Sequence, residues 1–183
     1  LPRGGLVNRW LHCSAADAVI ATNSLMTRHF AEVLHVPSSR LHTILGGVDT
    51  ERFHADAEAR RLMRQCYGYG EDHIVMGLLG RMDSVKGIRE SIEALALARK
   101  LSPLAQRLRF LVIGFDSEFS TADVARWTRE QGLGDLGEIV TVTGKVEHPE
   151  AVISALDFGI LASLGSEAIA RAALEIMACG VPL

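Results

Sequence analysis

The chain holds 183 residues, 48% of them apolar, 22% charged and 5% aromatic, an ordinary globular composition that excludes a disordered tail. Nineteen basic residues against 22 acidic ones leave a formal charge of -3, with no block of five or more like charges, so the electrostatic footprint of nucleic-acid binding is missing. At about 100 to 200 residues per domain, the length fits one good-sized domain, or one domain and a piece of another.

Cys13, Cys66 and Cys179 are far apart and form no CxxC pair, which points to a reducing cytosol rather than a disulfide framework or a zinc site. The longest apolar runs, 74–80 and 158–162, fall far short of the ~20 residues of a membrane-spanning helix, so no transmembrane segment is expected. The chain begins at Leu1 without a signal-peptide pattern and stops at Val181-Pro182-Leu183, which reads as the start of an apolar strand. A fragment at both ends is the expectation.

Short β-rich runs alternate with stretches of helical period, which predicts βα units and a mainly parallel sheet. Residues 18–22 read as a strand, followed by a helix capped at Asn23 or Ser24 and ended by Pro37 and Ser38-Ser39. Residues 41–45 read as extended, and the Gly46-Gly47 turn leads to Val48-Asp49. A helix is expected from Asp56 to Gly68. The clearest unit follows: a buried strand at 74–79, a loop at 80–87 and a helix at 88–100 with Ile92, Leu95 and Ala96 inward. Next come a strand at 110–113, a helix capped near Ser120 that runs to Gly132, a strand at 139–143, a short helix at 149–156 with Pro149 in its first turn, and a strand at 158–162. The last unit is a loop at 163–166 and a helix through Met177, closed by Gly180.

In an open α/β sheet, ligands bind beyond the carboxyl ends of the strands, so the loops after Leu79, Ile113, Thr143 and Ala162 are the places to search. The first places two cations, Arg81 and Lys86, between a buried strand and a helix N-terminus, which are the parts of an anion site. The same spacing also fits a solvated loop in which Gly87 only makes a turn. The last carries Glu167 and Glu175, which eight helical positions would set ~12 Å apart, a nucleotide-sugar length from ribose to hexose. Between them, first-turn amides around Ala170 to Ala172 would face a phosphate. Taken singly, Glu167 equally complements a helix dipole and Glu175 a surface. His148 reads as a cap or surface residue. No HExxH, GxSxG or GxGxxG occurs, which argues against metal, triad and dinucleotide chemistry.

Together these residues resemble the retaining glycosyltransferases of group 1, family 4, whose GT-B fold sets two Rossmann-like domains across a cleft. Residues 16–24 are similar to the last strand of that family's acceptor-side domain. Gly46-Gly47-Val48-Asp49 with Phe53 is similar to its Asn-Gly-Val-Asp turn, with Gly46 in place of Asn. Gly80-Arg81-Met82 with Lys86-Gly87 matches its Gly-Arg-Leu and Lys-Gly pair, and Glu167 with Glu175 matches its E-x7-E signature, followed by Met177 to Pro182. Ala170 stands where many members have Gly.

The resemblance implies an α/β fold, a Rossmann-like parallel sheet with helices on both faces (the GT-B donor domain), truncated at both ends. Residues 1–45 would be the tail end of the acceptor-side domain and 46–183 the nucleotide-sugar-binding domain. The implied activity is glycosyl transfer from a UDP-, GDP- or ADP-sugar with retention of anomeric configuration, without metal or cofactor. By the same resemblance, Arg81 and Lys86 hold the donor diphosphate, Glu167 the sugar hydroxyls and Glu175 the ribose. Gly144, Lys145 and Val146 contact the base through the main chain, and Gly46, Gly47, Ile169, Ala170, Arg171 and Ala172 line the donor site. The acceptor, a glycan or lipid-linked group, would be read by a domain outside this chain, and the expected location is cytoplasmic, with room for peripheral contact at the inner face of the cell membrane in the setting of envelope polysaccharide assembly. The fragment alone is expected to bind donor without efficient transfer. A non-catalytic nucleotide-sugar-binding subunit and a GT-B sugar-nucleotide epimerase are the alternatives.

Overall fold

The computed structural model describes residues 4–165 and 170–183, and these fall into two compact units. The first holds the described residues up to Gly47, with Ala170 and Arg171, and the second holds residues 48–165 and 172–183.

The first unit opens with α1 (Leu6–Trp10), which runs on into a π-helical turn, Leu11–Ala15. Leu6, Val7, Trp10 and Leu11, which recur at helical spacing, are exposed, while His12 and Cys13 meet the small core of this unit. The strands β1 (Val19–Ala21) and β2 (Leu41–Thr43) pair in parallel with Val19 opposite Leu41. Between them lies α2 (Ser24–Glu32), whose N-terminus is capped by Asn23 accepting the Met26 amide at 2.8 Å. The helix ends earlier than Pro37. His35 adopts a left-handed φ of 57°, and the Val36 amide returns to the Phe30 carbonyl at 3.0 Å, a closure that satisfies a terminal carbonyl. Phe30, Leu34 and Val36 then pack with Val19 and Ala21 as a small core.

In the second unit, α3 (Ala57–Cys66) is capped by Asp56, which accepts the amides of Glu58 and Ala59. There follow β3 (Ile74–Leu79), α4 (Ile88–Leu101), β4 (Leu108–Ile113), α5 (Thr121–Glu130), β5 (Val140–Val142), α6 (Pro149–Ile153), β6 (Phe158–Gly159) and α7 (Arg171–Ala178). Two 3-10 turns, Ser84–Lys86 and Pro103–Arg107, lead into α4 and β4. The strands are all parallel in the order β5-β4-β3-β6.

Alternate side chains sort to the two faces, as the pleat requires. Met76, Leu78, Phe110, Val112 and Val140 pack with Ile88, Ile92 and Leu95 of α4 and Val124 and Trp127 of α5. Val75, Leu111 and Ile113 pack with Val152 and Ile153 of α6 and Ile176 and Cys179 near α7. The expected Rossmann-like architecture, a parallel sheet with helices on both faces, is the observed one. Gly77 shares the face of Val75, and a Cβ there would overlap the methyl groups of Leu156.

Some observed elements are shorter than the sequence pattern suggests. β6 holds two residues and α6 five: past α6, Ala155 and Leu156 are buried in a turn instead, and past β6 the Ile160 amide still meets the Gly77 carbonyl but Leu161 is exposed. Asp157, in the turn between them, joins three parts of the chain. It accepts the Val75 amide at 2.7 Å and pairs with Arg60 at 2.6 Å and Arg64 at 3.1 Å. Arg60 also donates to the carbonyls of Ser154 and Leu156, groups that the end of a helix leaves without partners. Burial works against ionising Asp157, but the Val75 amide and the two guanidinium groups outweigh it and hold the carboxyl below its ordinary value.

Candidate functional site

From β3 the sheet grows through β4 to β5, and α6 then returns the chain so that β6 pairs with the other side of β3. The strand order therefore reverses between β3 and β6, and their carboxyl ends flank the crevice where such sheets bind ligands. The loops after β3 and β6 meet there. The Leu164 amide donates to the Val85 carbonyl at 2.8 Å. Gly87, with φ +68°, has no space for a Cβ because the Ala162 carbonyl oxygen occupies it.

Within the β3–α4 loop, the Gly80 amide donates to the Ile113 carbonyl at 3.0 Å, which extends the strand ladder by one step. Gly80 has φ +150°, and the Lys86 side chain folds over it, with Cε 3.2 Å and Nζ 3.6 Å from where a Cβ would stand. Met82 is fully buried and anchors the loop in the core. Arg81 projects with its side chain 64% exposed and pairs at 3.0 Å with Asp83, whose side chain is 13% exposed. The two cations of the sequence motif thus share one compact loop at the switch point.

The β4–α5 loop supports this arrangement from below. Met82 donates to the Phe115 carbonyl, and Phe119 donates to the Met82 carbonyl. Ser84 donates to Glu118 Oε2 from its amide at 2.9 Å and from its hydroxyl at 2.7 Å, and these bonds hold the Glu118 carboxyl below its ordinary value.

Beyond β5, Gly144 turns with φ +72°, Lys145 is exposed, and Val146 packs partly into the second face of the core. Arg52 braces this loop, donating to Glu150 Oε2 and to the Glu147 carbonyl, each at 3.0 Å. Its guanidinium carbon lies 5.3 Å from the Phe53 ring centre, and Asp49 orders the turn by accepting the amides of Glu51 and Arg52. Partial burial opposes ionisation of Glu150, but bonds from its own amide, His148 and Arg52 prevail and lower its pKa. His148 is exposed and sits at the N-cap position of α6, where its side chain makes no cap; its Nδ1 instead meets Glu150 at 3.0 Å.

The last helix departs from the expectation. α7 begins at Arg171, so Ala170 stands outside it, while Ala172 and Glu175 lie within it. The apolar period of Ile169, Ala172, Ala173 and Ile176 runs straight through this boundary, so the pattern alone could not mark it. Glu167 and Ile169 lie outside the described residues, as does the expected span from Glu167 to Glu175. Glu175 is half-buried, and with Glu150 it adds to the effect of burial in pushing the Cys179 thiol up to about 11. Gly46 and Gly47 are exposed at the end of the first unit. Sequence reasoning missed Arg52, Asp83, Glu118 and Glu150; only Asp83 and Arg52 had a usable signal, since they lie inside or next to the quoted motifs.

Among the described residues, no group of three or more His, Cys, Asp or Glu is placed to hold a metal ion, and no helix is long and apolar enough to cross a membrane. Residues 73–183, more than half of the chain, match the family model for Glycosyl transferases group 1. The chain belongs to this family. The chain is 30% identical over 175 residues to a D-inositol 3-phosphate glycosyltransferase of Stackebrandtia nassauensis, covering 92% of this chain and 38% of that protein. Its fold is similar to that of a glycosyltransferase from Rickettsia africae, with a TM-score of 0.81 at 18% identity, over 99% of this chain and 48% of that one. Anabaena HepE, solved in complex with UDP-glucose, is similar with a TM-score of 0.71 at 23% identity, over 91% of this chain and 44% of that one. The chain spans less than half the length of each, and its sheet is of the GT-B type.

Proposed function

We propose that this chain is the nucleotide-sugar-binding part of a glycosyltransferase, and that the β3–α4 loop holds the donor diphosphate. The supporting observation is the placement of Arg81 and Lys86 together on the loop at the β3/β6 switch point, joined to the β6–α7 loop through Leu164 and Val85. A departing nucleoside diphosphate gains negative charge as the glycosidic bond to it breaks. Arg81 can fork two phosphate oxygens, and Lys86 supplies a mobile point charge, so both interactions strengthen toward the transition state. Asp83 occupies Arg81 in the free chain and is exchanged for phosphate when donor binds.

In this reading Glu167 orients the sugar hydroxyls, Glu175 the ribose, the main chain at Gly144, Lys145 and Val146 the base, and amides at Ala170, Arg171 and Ala172 a phosphate. Gly46, Gly47 and Ile169 complete the site. The donor is a UDP-, GDP- or ADP-sugar, transferred with retention and without a metal ion. Residues 1–45 belong to the acceptor-side domain, and the glycan or lipid-linked acceptor is bound by the rest of the enzyme, which works in the cytoplasm or at the inner face of the membrane. The names and ligands of the similar proteins support this reading, an inositol phosphate glycosyltransferase on one side and a UDP-glucose complex on the other.

The test is a calorimetric titration of the chain with UDP, GDP and ADP. One of the three is expected to bind, with affinity falling at least about tenfold in both Arg81→Ala and Lys86→Ala, the effect of removing a charge-assisted bond to phosphate. Wild-type affinity in both variants would remove the two cations from the site.

A further inference from the structure

The β3–α4 loop is built from residues poorly suited to hold its shape alone. Gly80 and Gly87 bound it, both with positive φ, and the 3-10 turn between them is three residues long with no side-chain cap of its own. Two cations must nevertheless converge there. Uncompensated, a flexible loop would spend part of any anion's binding energy on ordering the chain.

Glu118 supplies the missing constraint from a neighbouring element. Its Oε2 accepts both the amide and the hydroxyl of Ser84, at 2.9 and 2.7 Å. Ser84 opens the turn that ends at Lys86. The backbone is tied on the same side by Met82 to Phe115 and by Phe119 to Met82, at 3.1 and 2.8 Å. The Lys86 amide then closes onto the Asp83 carbonyl at 3.0 Å, and the Lys86 side chain lies over Gly80.

From this geometry we infer that Glu118 is a positioning residue for the donor loop: its double acceptance from Ser84 sets the turn that aims Lys86. The inference rests on the reading of this loop as the diphosphate site. In this reading Glu118 acts through Ser84; being an anion it opposes phosphate electrostatically, so its hydrogen bonds and its charge act on donor affinity with opposite signs. This separates positioning from a plain charge effect.

The test uses the 183-residue chain with Glu118→Ala, Glu118→Gln and Ser84→Ala, read by nucleoside diphosphate titration, amide hydrogen exchange and thermal unfolding. Glu118→Ala is expected to weaken nucleotide binding about fivefold and to speed exchange at Ser84 and Lys86, with Tm nearly unchanged because the bonds are exposed. Glu118→Gln keeps an acceptor oxygen and loses the charge, so it is expected to bind at least as tightly as wild type. The double variant Ser84→Ala/Glu118→Ala should lose little more than Glu118→Ala alone. If Glu118→Ala binds as wild type with unchanged loop exchange, or if Glu118→Gln fails as badly as Glu118→Ala, the assignment is overturned. If the wild-type chain binds no nucleoside diphosphate, the donor-site reading fails, while exchange at Ser84 and Lys86 in Glu118→Ala still decides whether Glu118 holds the loop.

Discussion

The amide of Leu164 donates to the carbonyl of Val85 at 2.8 Å, so the loop that follows β6 is fastened to the loop that follows β3, although nearly 80 residues separate them in the chain. The close approach of Gly87 to the Ala162 carbonyl is the second part of the same seam. Gly87→Ala is expected to open it. A Cβ there meets the Ala162 carbonyl, and φ +68° is strained for any L side chain. Denaturant unfolding should show a loss of about 2 kcal/mol or more, and nucleotide affinity should fall with it. An unfolding midpoint equal to wild type would mean that the two loops do not depend on this contact.

The Gly77 position makes a comparable prediction for the opposite face of the sheet. Gly77→Ala forces Leu156 away from β3, and overpacking of this kind costs about 1–3 kcal/mol. Leu156→Ala leaves a cavity at a site 2% exposed, at a cost of about 2–5 kcal/mol. Because the inserted methyl fills part of that space, the double variant should be more stable than the two losses predict. Strict additivity in a chemical-denaturation cycle would count against this packing.

Asp157 carries a pH dependence. Its carboxyl is held below the ordinary value of 3.8 by the Val75 amide, Arg60 and Arg64, against the effect of burial. A carboxyl with a depressed folded-state pKa contributes stability that is present above its unfolded pKa and is lost as pH falls through the lower, folded value. Asp157→Asn should therefore be less stable than wild type by about 2 kcal/mol at neutral pH, since it removes the charge that Arg60 and Arg64 share while both keep their bonds to backbone carbonyls. The gap should narrow below about pH 4. A gap that stays constant from pH 7 to pH 3 would separate the effect from the ionisation of Asp157.

Arg52 tests the loop after β5. Its side chain is 47% exposed, so the pair with Glu150 contributes little to global stability. Arg52→Ala should leave Tm within a few degrees of wild type but free the Glu147 carbonyl and the loop that starts at Gly144, weakening nucleotide binding several-fold. Unchanged affinity by calorimetry would detach this brace from base binding.

Much of the second unit was legible from period alone. The β3 bounds and the Asp56 and Ser120 caps stood in the sequence, because a buried strand and an amphipathic helix each repeat their own contacts locally. The cations of the 80–87 loop were legible for a related reason: they lie within a few residues of each other, between a strand and a helix that fix their ends. The segment from Leu6 to Ala15 is a different case: Leu6, Val7, Trp10 and Leu11 recur at helical spacing, yet all four are exposed, while His12 and Cys13 meet the small core. The start of α7 at Arg171 was not legible, because the apolar period of Ile169, Ala172, Ala173 and Ile176 in the sequence crosses that position.

The sequence by itself determined the alternation of strands and helices, the parallel sheet and the motif residues, all of which follow from side-chain period and short-range spacing. Only the tertiary structure decided that β6 returns to the side of β3 away from β4, and hence where the crevice lies. It alone placed Glu118 on Ser84, Arg52 on Glu150 and Asp157 on two arginines of α3. These pairings join residues 34 to 98 positions apart. Hydrogen bonds between distant exposed or half-buried polar groups impose no period on the chain, so nothing short of the folded backbone brings such residues together.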